Sequence, residues 1–180
     1  FGRAFQRNKP LRTIGLDTDI CKVWIENENF YGRYTPKMVK RGDMLYVNYR
    51  VISQLINLLK EDKDISKIKE EIFNFLRRNK INFIKKSSIN EEQVKEKVNE
   101  LISKKFIGNP QKSDLEIIAI YFLTNMDGIF SGNTKHFKEP CNYLKIHFEE
   151  NIEVSIGSER DTQRLLKNFF KKFKGHKRKY

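Results

Sequence analysis

The chain has 180 residues, with 36 Lys and Arg against 23 Asp and Glu and hence a net charge of +13 at pH 7. That length suits one compact domain with appendages, and 38% hydrophobic and 12% aromatic residues can build a core without a stapling disulfide or metal, which excludes a wholly disordered chain. The longest apolar run, residues 117–123, is far short of the roughly 20 residues a membrane span needs, so the chain reads as soluble and intracellular, with no membrane partner.

Cys21 and Cys141 stand in unrelated contexts without a C-x-x-C pattern, so two plain thiols are expected. A pI near 9.7 favours a polyanionic partner, and charge alone does not choose between nucleic acid, an acidic protein and an anionic membrane surface. The chain opens on Phe1 rather than Met, as a processed or trimmed terminus would, and residues 1–12 carry four basic residues without a period: a basic N-terminal arm.

Residues 13–17 form a short apolar run ending in acid, which predicts a buried strand delivering Asp17 at its C-terminal edge. A second strand is expected over residues 44–47, then a helix over 51–59 with Asn48 as its cap. Ile65, Ile68, Ile72, Phe75 and Leu76 mark an amphipathic helix over residues 65–78, residues 81–84 a third strand, and Val94, Val98, Leu101 and Ile102 the buried stripe of a helix over about 90–104. Gly108-Asn109-Pro110 breaks the chain. Ser113 opens a helix to about Leu123, residues 128–131 read as a strand, and either residues 144–148 or residues 152–156 supply the last one before a helical segment over residues 160–173. Short strands alternating with helices imply an α/β layer structure with a mainly parallel sheet. Without an internal repeat or linker, residues 13–156 are treated as one domain and residues 157–180 as a basic amphipathic C-terminal extension.

In an open α/β sheet, ligands gather outside the carboxyl ends of the strands, which makes Asp17 a site candidate; an acid at that place also caps the next helix, and position alone leaves the two roles even. Ser113-Asp114-Leu115-Glu116 has the form of a capping box, giving Glu116 a local job, while Asp114 would project from the first turn and could meet Asp17 on a divalent cation.

At this point the residues resemble a family. Leu16-Asp17-Thr18-Asp19 after a first strand is similar to the opening motif of PIN-domain nucleases. Lys112-Ser113-Asp114, followed by an aliphatic and alanine run to Ala119, resembles their third acidic motif. Ile129 to Phe137, with Ser131-Gly132-Asn133-Thr134-Lys135-His136, is similar to their fourth segment in toxin-type members. The resemblance spans about Thr13 to Val154. It implies a doubly wound three-layer α/β/α sandwich whose acids bind Mg²⁺ or Mn²⁺ and hydrolyse RNA phosphodiesters, as an endoribonuclease of the toxin type. Such members work with an antitoxin and often as homodimers. Asp17 and Asp114 match the first and third acidic positions and are the implied metal ligands. Asn133 matches the fourth, and Ser131 stands where a Thr orders the loop.

One departure is plain: the family's second acid, usually a Glu early in the helix after the second strand, is Gln54 here. Asp19 or Glu116 would have to compensate, or the enzyme is weakened. The rival expectation is therefore a catalytically impaired PIN-fold RNA-binding subunit of a ribonucleoprotein.

His136 is expected to shape its loop or contact phosphate rather than act as a base, and His147 to point outward from a strand. Trp24 and Tyr31 are read as packing residues ahead of base-stacking ones. In the extension, Leu165, Leu166, Phe169, Phe170 and Phe173 recur at helical spacing, so a docking helix is expected, with Lys171, Lys172, Lys174, Lys177, Arg178 and Lys179 available to contact RNA phosphates.

Overall fold

The computed structural model describes residues 12–26, 28, 43–61 and 63–148. The expected arm before Arg12, Tyr31, the alternative strand at residues 152–156 and the whole basic extension lie outside the described residues.

Among the described residues five strands are formed: β1 (Arg12–Leu16), β2 (Asp43–Asn48), β3 (Ile81–Ile84), β4 (Gly128–Phe130) and β5 (His147–Phe148). They pair in parallel throughout, in the order β3-β2-β1-β4-β5. Among the described residues the α-helices are α1 (Thr18–Glu26), α2 (Tyr49–Leu59), α3 (Ile65–Arg78), α4 (Glu91–Ser103), α5 (Lys112–Leu123) and α6 (Thr134–Tyr143). The chain winds outward from β1 to β3, then crosses back to β4 and β5. With right-handed crossovers, the reversal puts α1, α2 and α3 on one face and α4, α5 and α6 on the other, and consecutive helices within each group pack together. The architecture is an α/β layer structure with a parallel sheet, as the alternating pattern predicts, in the three-layer α/β/α sandwich that the resemblance implies.

Parallel strands covered on both faces need near-continuous apolar runs, and Ile14, Leu16, Leu45, Val47, Ile129 and Phe130 supply them, all buried. Trp24 is 1% exposed and meets Phe75 edge to face at 5.7 Å, so it packs the core between α1 and α3 instead of offering a stacking surface. Cys21 and Cys141 are buried free thiols. Tyr121, fully buried on α5, lies flat enough against β1 that a Cβ on Gly15 would sit 2.6 Å from its ring. Its hydroxyl donates to the Leu16 carbonyl at 2.5 Å, which satisfies the one polar atom this aromatic brings into the core.

Asn48 works as expected and does more. Its Oδ1 accepts from the backbone N–H groups of Arg50 (3.0 Å) and Val51 (3.2 Å), capping α2, while its Nδ2 donates to the Ile117 carbonyl of α5 at 3.3 Å. One buried amide thereby ties a strand end to helices in both outer layers. The last strand takes the first of its two expected places, and His147 is exposed there beside buried Phe148. The helix α6 has no counterpart in the sequence-based expectation: Pro140 lies inside it, and the apolar positions are few. No helix among the described residues is long and apolar enough to cross a membrane.

Candidate functional site

The chain reverses its direction of winding between β1 and β4, and a crevice opens outside the carboxyl ends of two strands whose connections leave in opposite senses. Asp17 follows β1 there, and Ser131, Gly132 and Asn133 follow β4. The two segments are fastened together by the Asp17 N–H donating to the Phe130 carbonyl at 3.0 Å.

Asp17 is 5% exposed. Its Oδ1 accepts from the Thr18 N–H at 2.7 Å and its Oδ2 from the Ser131 hydroxyl at 2.6 Å, the latter itself accepting from the Asn133 N–H at 2.9 Å. Ser131 thus bonds directly to the acid and to the loop's own backbone. Asp19, half-buried, accepts from the Ile20 N–H (2.8 Å) and reaches across to the Gly132 N–H (3.0 Å). Two carboxylates, Asp17 just before α1 and Asp19 in its first turn, are thus held by the loop after β4.

Their electrostatics follow from that placement. Burial, then repulsion by Asp19, holds Asp17 well above the usual carboxylate range, and the donors Ser131 and Thr18 offset only part of this. Burial likewise pushes Asp19 up to about 6, with the Ile20 and Gly132 N–H groups pulling downward and the Asp114 charge pushing upward. Beneath Asp17 and Asp19, burial and the charges of those two acids raise the thiol of Cys21 far beyond reactivity.

Asp114 stands in the first turn of α5, and its charge acts on both Asp17 and Asp19. The expected capping arrangement is corrected here. The helix begins one residue earlier, at Lys112; Gln111 is its N-cap, and Asp114 Oδ2 accepts from the Gln111 N–H at 3.3 Å. Ser113 is already inside the helix, so Glu116 falls too late to close a capping box. It pairs with Arg50 at 2.6 Å.

Gln54 projects from α2, and its Oε1 accepts from the Thr18 hydroxyl at 2.5 Å. The uncharged residue at the expected second acidic place therefore touches the residue between Asp17 and Asp19, a contact that no local sequence signal announces. Asn133 caps α6, its Oδ1 accepting from the His136 N–H at 3.4 Å. His136 Nδ1 lies 2.9 Å from Asp114 Oδ2 and 3.1 Å from Asn133 Nδ2. A carboxylate oxygen accepts, so an Nδ1–H donates to Asp114 Oδ2, and the Asn133 Nδ2, itself a donor, is then only a close neighbour of that nitrogen. His136 thus fixes the Asp114 rotamer from α6, a contact that the sequence spacing concealed.

Among the described residues no group of three or more His, Cys, Asp and Glu side chains is gathered as a metal-binding set. Mg²⁺ uses one or two carboxylates with waters and substrate phosphates, so Asp17 and Asp19, hard oxygen donors from one short segment, fit such an ion in kind. Asp114 would support it through its charge.

No family model matches the chain, and no curated protein matches it. Among solved structures, the chain is similar to one in the crystal structure of VapBC2 from Rickettsia felis bound to a DNA fragment from their promoter. The match has a TM-score of 0.57 and 21% identity, covering 76% of this chain and 97% of that one. At that identity the likeness concerns the fold: this chain has the PIN-like α/β/α sandwich.

Proposed function

We propose that the protein is a divalent-metal-dependent endoribonuclease of the toxin type, hydrolysing RNA phosphodiester bonds with Asp17, Asp19 and Asp114. The observation that carries this reading is the buried Asp17 beside Asp19 at the reversal of the sheet, held by Ser131 and Gly132, with burial raising both acids above the ordinary carboxylate range. Strongly perturbed carboxylates in a crevice are a mark of functional sites. A bound Mg²⁺ or Mn²⁺ would acidify water and screen the phosphate's charge. The chain's own residues do the positioning: Ser131 and the Thr18 N–H aim Asp17, Gly132 aims Asp19, and His136 holds Asp114. The likeness to a VapBC2 chain supports an antitoxin as protein partner.

A second reading has its own support. The Gln54 amide stands beside Thr18 where the family has an acid, and Asn133 spends its side chain capping α6, so the protein could bind RNA as a catalytically impaired subunit. A cleavage assay on structured RNA with Mg²⁺ or Mn²⁺ separates the two. Asp17→Asn should abolish cutting, and undiminished cutting in that variant would rule out this site. RNA binding without cleavage, persisting in Gln54→Glu, would establish the second reading. A third function class, an adaptor for acidic proteins, is rejected by RNA affinity that falls steeply with salt.

A further inference from the structure

Away from the acids, a cleft of about 350 Å³ opens where α2, α4 and α5 begin. Tyr49, Val94 and Val98 give it an apolar aromatic lining, and Lys86, Lys95 and Lys112 give it cations. Its two acids are already engaged: Glu116 pairs with Arg50 at 2.6 Å, and Glu91 accepts from the Tyr49 hydroxyl at 3.0 Å. Lys86 and Lys112 are exposed and meet no carboxylate within ion-pair distance among the described residues, while Lys95 has only an exposed contact with Glu92 at 3.7 Å. The cleft therefore has a surplus of positive charge beside a half-buried ring whose edge is fixed by Glu91.

A flat apolar face next to uncommitted ammonium groups matches a nucleotide, and the volume holds about one. Lys112 and Glu116, four apart on α5, share its cleft side, whereas Asp114, two positions from each, points about 200° round the helix, so the cleft and the acids lie on different sides of α5. A duplex would keep its bases stacked away from such a wall, whereas an unpaired strand can splay one out. We propose that this cleft receives one unpaired nucleotide of a single-stranded RNA, its base against Tyr49 and its phosphate at Lys86 and Lys112. This binding goes beyond the nuclease reading and does not depend on it.

The test uses the full chain with Asp17→Asn, so that the strand stays intact, and measures fluorescence anisotropy of labelled ten-nucleotide oligouridylate, oligoadenylate and an RNA duplex of equal length over a KCl series. Tyr49→Ala should weaken single-strand binding about 5- to 100-fold, while Tyr49→Phe stays near the parent and duplex binding is unmoved. The double variant Lys86→Ala/Lys112→Ala should reduce the slope of log affinity against log salt by about 1.4. Those two lysines are exposed, so this arm decides even where Tyr49→Ala fails to fold. Single-strand affinity and salt slope unchanged from the parent overturn the proposal and leave the cleft to an acidic peptide of a protein partner. If the unmodified chain cuts no RNA yet the variants weaken binding as stated, the nuclease reading falls and the nucleotide subsite stands.

Discussion

Asp19 illustrates how a single side chain can work against the fold that contains it. Its folded-state pKa of about 6 exceeds the ordinary value of 3.8, so the folded protein holds this proton more tightly than the unfolded chain does. The associated stability is fully present below the unfolded value and is lost as pH rises through the folded one. We expect stability to decline between pH of roughly 4 and 6, and Asp19→Asn to flatten that decline and raise stability at pH 7 by on the order of 1–3 kcal/mol, the lower end reflecting Asp19's remaining solvent contact. Urea midpoints of both proteins at pH 4.5 and 7 check this; parallel pH profiles would contradict it. Gln54 poses the converse case. Its carbonyl already accepts from Thr18, and Gln54→Glu would add a charge beside two acids. Without metal the variant should melt lower than the parent, and Mn²⁺ should raise its melting temperature more than the parent's. Equal Mn²⁺ shifts in calorimetry would show that the position does not face the ion.

Among the elements, β1 and α5 are locked together by the closest approach in the core. A methyl at Gly15 would meet three atoms of the Tyr121 ring at 2.6 Å, and that ring is anchored by its hydroxyl to Leu16, so it has little room to give way. Gly15→Ala should cost about 1–3 kcal/mol by overpacking, read as a lower urea midpoint with an unchanged m-value. Asn48→Ala removes a cap and leaves the Arg50 and Val51 N–H groups and the Ile117 carbonyl without their partner; a loss of about 1–3 kcal/mol is expected in the same experiment. The strands and long helices were legible because their apolar periods are strong, and α2 because Asn48 is a good cap. The helix α6 was not, since Pro140 masks its interior. The start of α5 was misplaced because Ser113 is a better cap by residue type than Gln111, and only Asp114's bond back to Gln111 reveals the true first turn. The crevice was legible as far as Asp17 and, through family resemblance, Asp114. The pairing of Gln54 with Thr18 and of His136 with Asp114 was not, because contacts between distant elements leave no local period.

Across the whole molecule, charge and chemistry are separated. Four basic residues stand in the first twelve positions and eight from Arg164 onward, without an acid in either stretch, so the ends carry twelve of the thirteen net positive charges. The acids of the crevice therefore belong to a nearly neutral middle. If the extension gathers RNA phosphates, neutralising Lys177, Arg178 and Lys179 together to Ala should reduce the salt slope of RNA binding by about 2 while leaving the melting temperature within 1–2 °C, a scale set by surface substitutions. An unchanged slope would place the binding elsewhere. A different consequence follows from the bond between Asp17 and Ser131, which lie 114 positions apart in the chain. The first half of the protein can emerge during synthesis with Asp17 and Asp19 present, yet Ser131 and Gly132, which reach across to them, arrive only after β4. The crevice is in that sense completed from the far end of the chain: an unfinished chain carries the acids without the two long-range bonds that hold them.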